Sequence, residues 1–264
     1  MTDGVLARRA HRLSNRPPSI IVAISAAFVG LLATAANADT ITLSTATSRL
    51  GSASSNQGWW AERTPRIANN PNYFTGNLGD GTGANNPSEH RSFFTFDLRS
   101  LDFTTTRIVS ASLVADGGRY GGDESSETLG LFDVVTPATA LNQTLGFNPT
   151  IFADLGSGTM YGTFEVAHYQ DNSNLAFGLN AAALRDIVSH QGSFFSIGGR
   201  LLSAGSAPAD FIFGNTGPVP VTLVLETSPV PEPVSALLLA TGLIGFVART
   251  AHRRSATKSQ QPPN

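Results

Sequence analysis

The chain has 264 residues, a formal charge of −2 and hydrophobic residues at 41 %, enough material for one ordinary core between two unusual ends. It has no cysteine, which excludes a disulfide framework, a thiol nucleophile and Cys-ligated zinc. Charge is uneven: nine arginines against seventeen carboxylates leave residues 39–228 near −8, a balance that repels phosphate backbones and disfavours nucleic-acid binding.

The N-terminus reads as an export signal. Arg8, Arg9, Arg12 and Arg16 form a basic region, Ile20 to Leu32 an apolar stretch, and Ala36-Asn37-Ala38 a small-x-small cleavage site. An apolar stretch of 13 residues is too short for the ~20 that a spanning helix needs. Residues 1–38 are therefore expected to be a signal peptide, with Asp39 the first residue of the mature chain.

Residues 39–226 have the texture of a β domain, in which short β-branched or aromatic runs alternate with Gly, Ser, Thr and Asn clusters. Period-two patterning is clearest at Ser92–Leu98, where Phe94, Phe96 and Leu98 share a face, and at Val219–Leu225, where Val219, Val221, Leu223 and Leu225 do. Further strands are expected at 41–45, 108–115, 128–135, 159–167, 175–179, 194–197 and 211–213. The expected fold is all-β, an antiparallel β-sandwich or jelly roll. One short helix interrupts it: Asn180 is a good N-cap, Ala181 to His190 carries Leu184, Ile187 and Val188 on one face, and Gly192 suits a helix end. The predicted core comprises Phe94, Phe96, Leu113, Leu131, Leu184, Ile187, Val221 and Leu223. Asn69 to Asn86 lacks periodicity and reads as a long surface loop, while His90 reads as an edge residue entering a strand. Thr227 to Pro233 reads as an extended linker whose prolines prevent pairing.

Beyond this body come Val230-Pro231-Glu232-Pro233, an apolar run from Val234 to Ala248, and Arg249, Arg253 and Arg254. That run is short for a bilayer, about 22 Å at ~1.5 Å per residue, but Arg249 can snorkel and extend the helix to His252. Residues 234–252 are thus expected to cross the membrane. Arginines beyond that span favour a cytoplasmic location for the basic and polar tail 253–264.

A Pro-Glu-Pro signature, one apolar segment and terminal arginines together resemble the PEP-CTERM sorting signal. The resemblance implies that the protein is exported, transiently anchored in the membrane and then released to the cell surface or outside. It also implies an exosortase-type sorting enzyme as partner and an association with exopolysaccharide. The tail departs from the usual pattern by running ten residues past Arg254. The body, from His90-Arg91-Ser92-Phe93-Phe94 through Leu131-Phe132-Asp133-Val134 to Ile197-Gly198-Gly199, is similar to a recurrent β domain of uncharacterised PEP-CTERM proteins, a resemblance covering residues 90 to 226.

Candidate chemistry within the body is sparse. Asp116, Asp123, Glu124 and Glu127 crowd one turn-rich segment; such oxygen ligands suit calcium, although EF-hand spacing is absent. As a glycosidase pair they lack anything to hold them at a defined separation. The histidines are scattered, no Gly-x-Ser-x-Gly elbow is present, and no catalytic residue is expected. Trp59, Trp60 and Tyr73 are the candidates for stacking on sugar rings, against the competing expectation that they serve as core or loop anchors. The leading expectation is a non-enzymatic surface or matrix protein. A secreted carbohydrate-active enzyme is the alternative.

Overall fold

The computed structural model describes residues 38–51, 53–66, 70–79, 87–205 and 209–230. By its internal contacts the chain divides into Met1–Ala35 and Ala36–Asn264, and every described residue belongs to the second unit. In chain order the strands are β1 (Asp39–Ser44), β2 (Gln57–Ala61), β3 (Thr75–Gly79), β4 (Pro87–Asp97), β5 (Thr106–Asp116), β6 (Arg119–Gly121), β7 (Ser126–Asp133), β8 (Met160–Ala167), β9 (Asn174–Gly178), β10 (Phe194–Leu201), β11 (Ala209–Gly214) and β12 (Thr222–Pro229). Among the described residues three short α-helices accompany them: α1 (Ala138–Gln143), α2 (Pro149–Asp154) and α3 (Ala181–Ser189).

The strands form two curled antiparallel sheets. The smaller runs β1-β12-β5-β9; the larger runs β6-β11-β3-β4-β10-β7-β8, with β2 joined to β4 off that path. Alternation explains how the two meet. In β5 and β12, Ala111, Leu113 and Ala115 and then Leu223 and Leu225 are buried while their neighbours are less so, and they join Phe94, Phe96, Leu129, Leu131 and Ile197 of the larger sheet in one core.

The larger sheet is buried on its other face as well. Odd-numbered Phe93 of β4 points away from Phe94 and Phe96, and it packs with Trp60, Val134, Leu141, Ile151, Phe152 and Leu155 in a second cluster. Helices α1 and α2 supply that cover. Pro149 occupies the first turn of α2 and Asn148 accepts a hydrogen bond from Ile151 N at 3.1 Å, which starts a helix whose length would not sustain it in isolation.

The expected helix is present, but it is one of three among the described residues rather than the single helix expected, and Val188 is 42 % exposed instead of sharing the buried face. Asn180 Oδ1 accepts from Ala182 N (2.9 Å) and Ala183 N (3.2 Å), and Ala183 and Ile187 are buried against the inter-sheet core. Of the predicted core, all are fully buried except Leu184, which packs half-buried at its margin.

Four expectations need correction. Segment 69–86 is not one loop, because Thr75–Gly79 pairs as β3 with both β4 and β11, with Gly76 at a close backbone contact; residues 69 and 80–86 lie outside the described residues. The linker starts later than Thr227: after a bulge at Glu226/Thr227, residues 227–229 continue β12 against Ile108, Arg107 and Thr106. Pro229 is tolerated there because β1 begins at Asp39, opposite Thr227, so beyond that point only the β5 side of β12 is paired. Val219 lies outside the strand and is 43 % exposed. His90 is not an edge residue but sits buried within β4, opposite Ala61 of β2 and Gly76 of β3.

Among the described residues no helix is long and apolar enough to cross a membrane. The proposed signal peptide, Pro231, Glu232 and Pro233 of the sorting motif, the apolar run 234–252 and Arg249, Arg253 and Arg254 lie outside the described residues. Val230 is described and exposed, its N–H bonded to Thr105 O at 2.9 Å.

Candidate functional site

Period two separates the tryptophans. Trp60, opposite Arg91, faces α1 and α2 and is 1 % exposed, with the Arg66 guanidinium 5.3 Å from its ring centre and 4.7 Å from that of Phe93. Burial pulls the Arg66 pKa down to about 10. Trp59 turns to the opposite face and is half-buried edge-on against His90, ring centres 4.8 Å apart. Tyr73 is fully buried, its hydroxyl donating to Asp116 O at 3.0 Å and accepting from Asp116 N at 2.9 Å. Trp60 and Tyr73 thus present no face to a sugar, and the stacking site expected of Trp59, Trp60 and Tyr73 is not assembled. Among the described residues the strongly exposed aromatics lie apart, Phe147 in the loop between α1 and α2 and Tyr169 in the 3-10 turn His168–Gln170 after β8.

The turn-rich acids part company too. Asp116 turns back to accept from Gly118 N at 2.7 Å, and Asp123 is exposed. Glu124 and Glu127 instead converge with Asp210 of β11, one carboxylate oxygen from each lying within 4.8 Å of the others. Strand pairing creates this meeting: Phe211 pairs with Gly121 of β6 and Asp210 with Asn77 of β3, which sets Asp210 beside the turn between β6 and β7. Two glycines permit it. A Cβ on Gly76 (φ +124°) would collide with the β11 backbone at Asp210 and Phe211. A Cβ on Gly122 (φ +137°) would stand 3.2 Å from Glu124 Oε2, 3.3 Å from Asp210 Oδ1 and 3.7 Å from Glu127 Oε1, at the point where the three carboxylates face one another.

The protein supplies few donors here. Asp210 and Glu127 are each 1 % exposed. Gly205 N donates to Asp210 Oδ2 at 2.7 Å, whereas Asp210 Oδ1 is buried without a partner. Ser203 Oγ donates to Glu127 Oε2. The Tyr120 hydroxyl has one proton for two acceptors, Glu124 O at 2.9 Å and Glu127 Oε1 at 3.3 Å, so Glu127 Oε1 receives at best the weaker share. None of the ion pairs among the described residues includes these three carboxylates. Desolvation, aided by Asp210, lifts the Glu127 pKa to about 7, and burial with the same acids raises that of Tyr120.

A second group of acids lies around a cleft of about 470 Å³ lined by Asp133, Thr136, Tyr161, Asp186, His190 and Phe195 among others. Here each carboxylate has a donor. Tyr161 donates to Asp186 Oδ2 at 2.9 Å, Thr159 N to Asp133 Oδ1 at 2.6 Å, and both N and Oγ1 of Thr136 to Asp154 Oδ2 at 2.8 and 2.6 Å. Desolvation raises the Asp133 pKa, and burial together with Asp186 raises that of Tyr161. Glu89 is answered by charge, with Arg91 Nε at 2.8 Å and Arg200 Nε at 3.0 Å.

Asp210 was invisible to sequence reasoning because it lies 83 positions from Glu127 and carries no motif. Local crowding pointed to Glu124 and Glu127; only pairing of β11 with β6 supplies the third carboxylate. No protein-family model matches this chain, and no curated protein matches it in sequence.

Proposed function

We propose that residues 39–229 are the exported body of a non-enzymatic surface or matrix protein, a two-sheet sandwich sorted by a PEP-CTERM/exosortase-type system and associated with exopolysaccharide. One observation carries the reading. Strand β1 begins at Asp39, directly after the Ala36-Asn37-Ala38 cleavage site, and β12 ends at Pro229, directly before Val230-Pro231-Glu232-Pro233. The described fold therefore fits between the two processing signals. Thr227 pairs with Asp39 and its hydroxyl donates to Asp39 O at 3.0 Å, so both cuts would fall at one end of the β1–β12 ladder and spare the core.

The test is processing in a host that supplies a cognate exosortase. The wild-type protein should be released, and Glu232→Ala should remain membrane-bound at higher mass. Equal release of both would reject the sorting motif.

A secreted carbohydrate-active enzyme is the second reading, favoured by the cleft where Asp133, Asp186, Tyr161 and His190 gather. The Glu124–Glu127–Asp210 group is a poor glycosidase pair, since its oxygens approach within 4.8 Å and two of its members are buried, against the ~5–9.5 Å such acids keep across a bound sugar. Sugar release by the purified protein, lost on Asp186→Asn, would establish the enzyme instead.

A further inference from the structure

We propose that Glu124, Glu127 and Asp210 bind a divalent cation of the calcium class, which ties the β6–β7 turn to strand β11. Two independent observations carry this. Three carboxylates converge with no ion-pair partner among the described residues, and Asp210 Oδ1, in a residue 1 % exposed, has no hydrogen-bond partner while facing the others. Burying an acceptor without a partner is costly, so a native fold that retains one at the centre of a carboxylate group calls for a ligand there.

The donor set selects the ligand. All three groups are hard oxygens, without histidine or cysteine, which suits calcium, magnesium or manganese rather than zinc or copper. Three oxygens no more than 4.8 Å from one another can share a centre at ~2.8 Å or less from each, which leaves room for the ~2.3–2.6 Å calcium–oxygen distances. Gly122 keeps the approach clear, because any Cβ there would stand at 3.2 to 3.7 Å from oxygens of all three residues. Calcium also accepts six to eight oxygens, and Glu124, on the exposed turn, leaves one side of the site open to water.

The physical consequence is a staple. This chain has no disulfide to close its loops, and β6 is only three residues long, held to β11 by an irregular pairing at Phe211 and Gly214. A cation shared by the turn after β6, the start of β7 and β11 would cross-link that end of the larger sheet. The site's geometry is independent of export; export would only provide the calcium.

The experiment is thermal unfolding of the full-length chain, purified in detergent with both termini in place, in EDTA and then with calcium chloride or magnesium chloride. Calcium at a hundred times its Kd should raise Tm by roughly 5–10 °C for a domain of this size. Magnesium should give a smaller shift. Asp210→Asn and Glu127→Gln, which keep shape while removing charge, should fold in EDTA and lose the calcium shift, and Asp102→Asn, on an exposed loop elsewhere, should keep it. Isothermal titration should find one calcium per chain for wild type and none for Asp210→Asn. No calcium shift in wild type, or an equal shift in all four proteins, would overturn the proposal and leave Glu127 and Asp210 as a pair sharing a proton.

Discussion

Glu124, Glu127 and Asp210 at one end of the larger sheet form one triplet of acids, and Asp133 and Asp186 in the cleft, with Asp154 bonded to Thr136 of its wall, form another, but the fold treats them differently. Around the cleft, Tyr161, Thr159 N and Thr136 each aim a donor at a carboxylate, and the acids remain partly open to water. In the first triplet two of three acids are buried, and Asp210 Oδ1 has no donor. Acidic clusters on their own are common; what separates the two is whether the protein satisfies its own lone pairs. A carboxylate answered from within is architecture, and one left unanswered in the interior is a place for something else.

Buried His90 offers the sharpest check on this principle. Its Nδ1 lies 2.8 Å from Ser88 O, which accepts, and burial pulls its pKa down to about 4, opposed by the carbonyls of Ser88 and Gly76 and by Glu89. The unfolded chain then binds the extra proton between pH 6.5 and 4 and the folded one does not, so stability falls as pH drops through that window. The full loss should be on the order of 3 kcal/mol. Urea unfolding at pH 7, 5.5 and 4 should show this fall, and His90→Gln should lack it; parallel curves for the two proteins would mean the ring is not held neutral.

Asp210→Asn should invert the usual sign of a buried substitution. In EDTA it removes like charge beside Glu127 and turns an unmet acceptor site into an amide, so the variant should be more stable than wild type by roughly 1–2 kcal/mol. A loss of stability of that size would show that the triplet is already satisfied and erase the contrast with the cleft.

In the cleft the sign should be ordinary. Tyr161→Phe deletes the donor to Asp186 and should cost about 1 kcal/mol, moderated because Asp186 can turn to water. Its denaturation midpoint should move by the same amount with and without calcium; a calcium-dependent change would join the two regions that the structure keeps apart.

The smallest effect belongs to Glu89, which is neutralised twice. Arg200 is 40 % exposed in its side chain and shares Glu89 with Arg91, which keeps two bonds to the carboxylate and lies over Phe152 at 4.1 Å. Arg200→Ala should cost well under ~1 kcal/mol, measurable as a small midpoint shift; a large one would reveal that Glu89 depends on both cations.

Much of the strand pattern was legible because burial alternates residue by residue along one segment. Phe94 and Phe96, or Leu223 and Leu225, declare a common face without reference to any partner. Helix α3 was legible from its cap Asn180 and from Ile187, although its buried face runs through Ala183 and not through Val188. Helices α1 and α2, at six residues each, are too short to show a period, although Asn148-Pro149 is a start signal that was there to be read. Strand β3 hid among glycines because its purpose is close contact with β11, a relation that no local pattern encodes.

Local chemistry and linear patterns are properties of the sequence itself: the basic and apolar N-terminus, the Pro-Glu-Pro near the C-terminus, the alternation of the strands, and the crowding of acids between Asp116 and Glu127 are all set by neighbours along the chain. Tertiary structure decided which of those acids matter. Asp116 and Asp123 belong to the same segment as Glu124 and Glu127, yet one folds back on Gly118 and the other stays exposed, while β11 carries Asp210 in from 83 residues away. Likewise, period two required Trp59 and Trp60 to face opposite ways, but which of them would be sealed depended on α1 and α2 arriving to cover the outer face. The reason is common to both: burial and charge pairing depend on distance in space, and strand pairing between segments remote in sequence sets that distance.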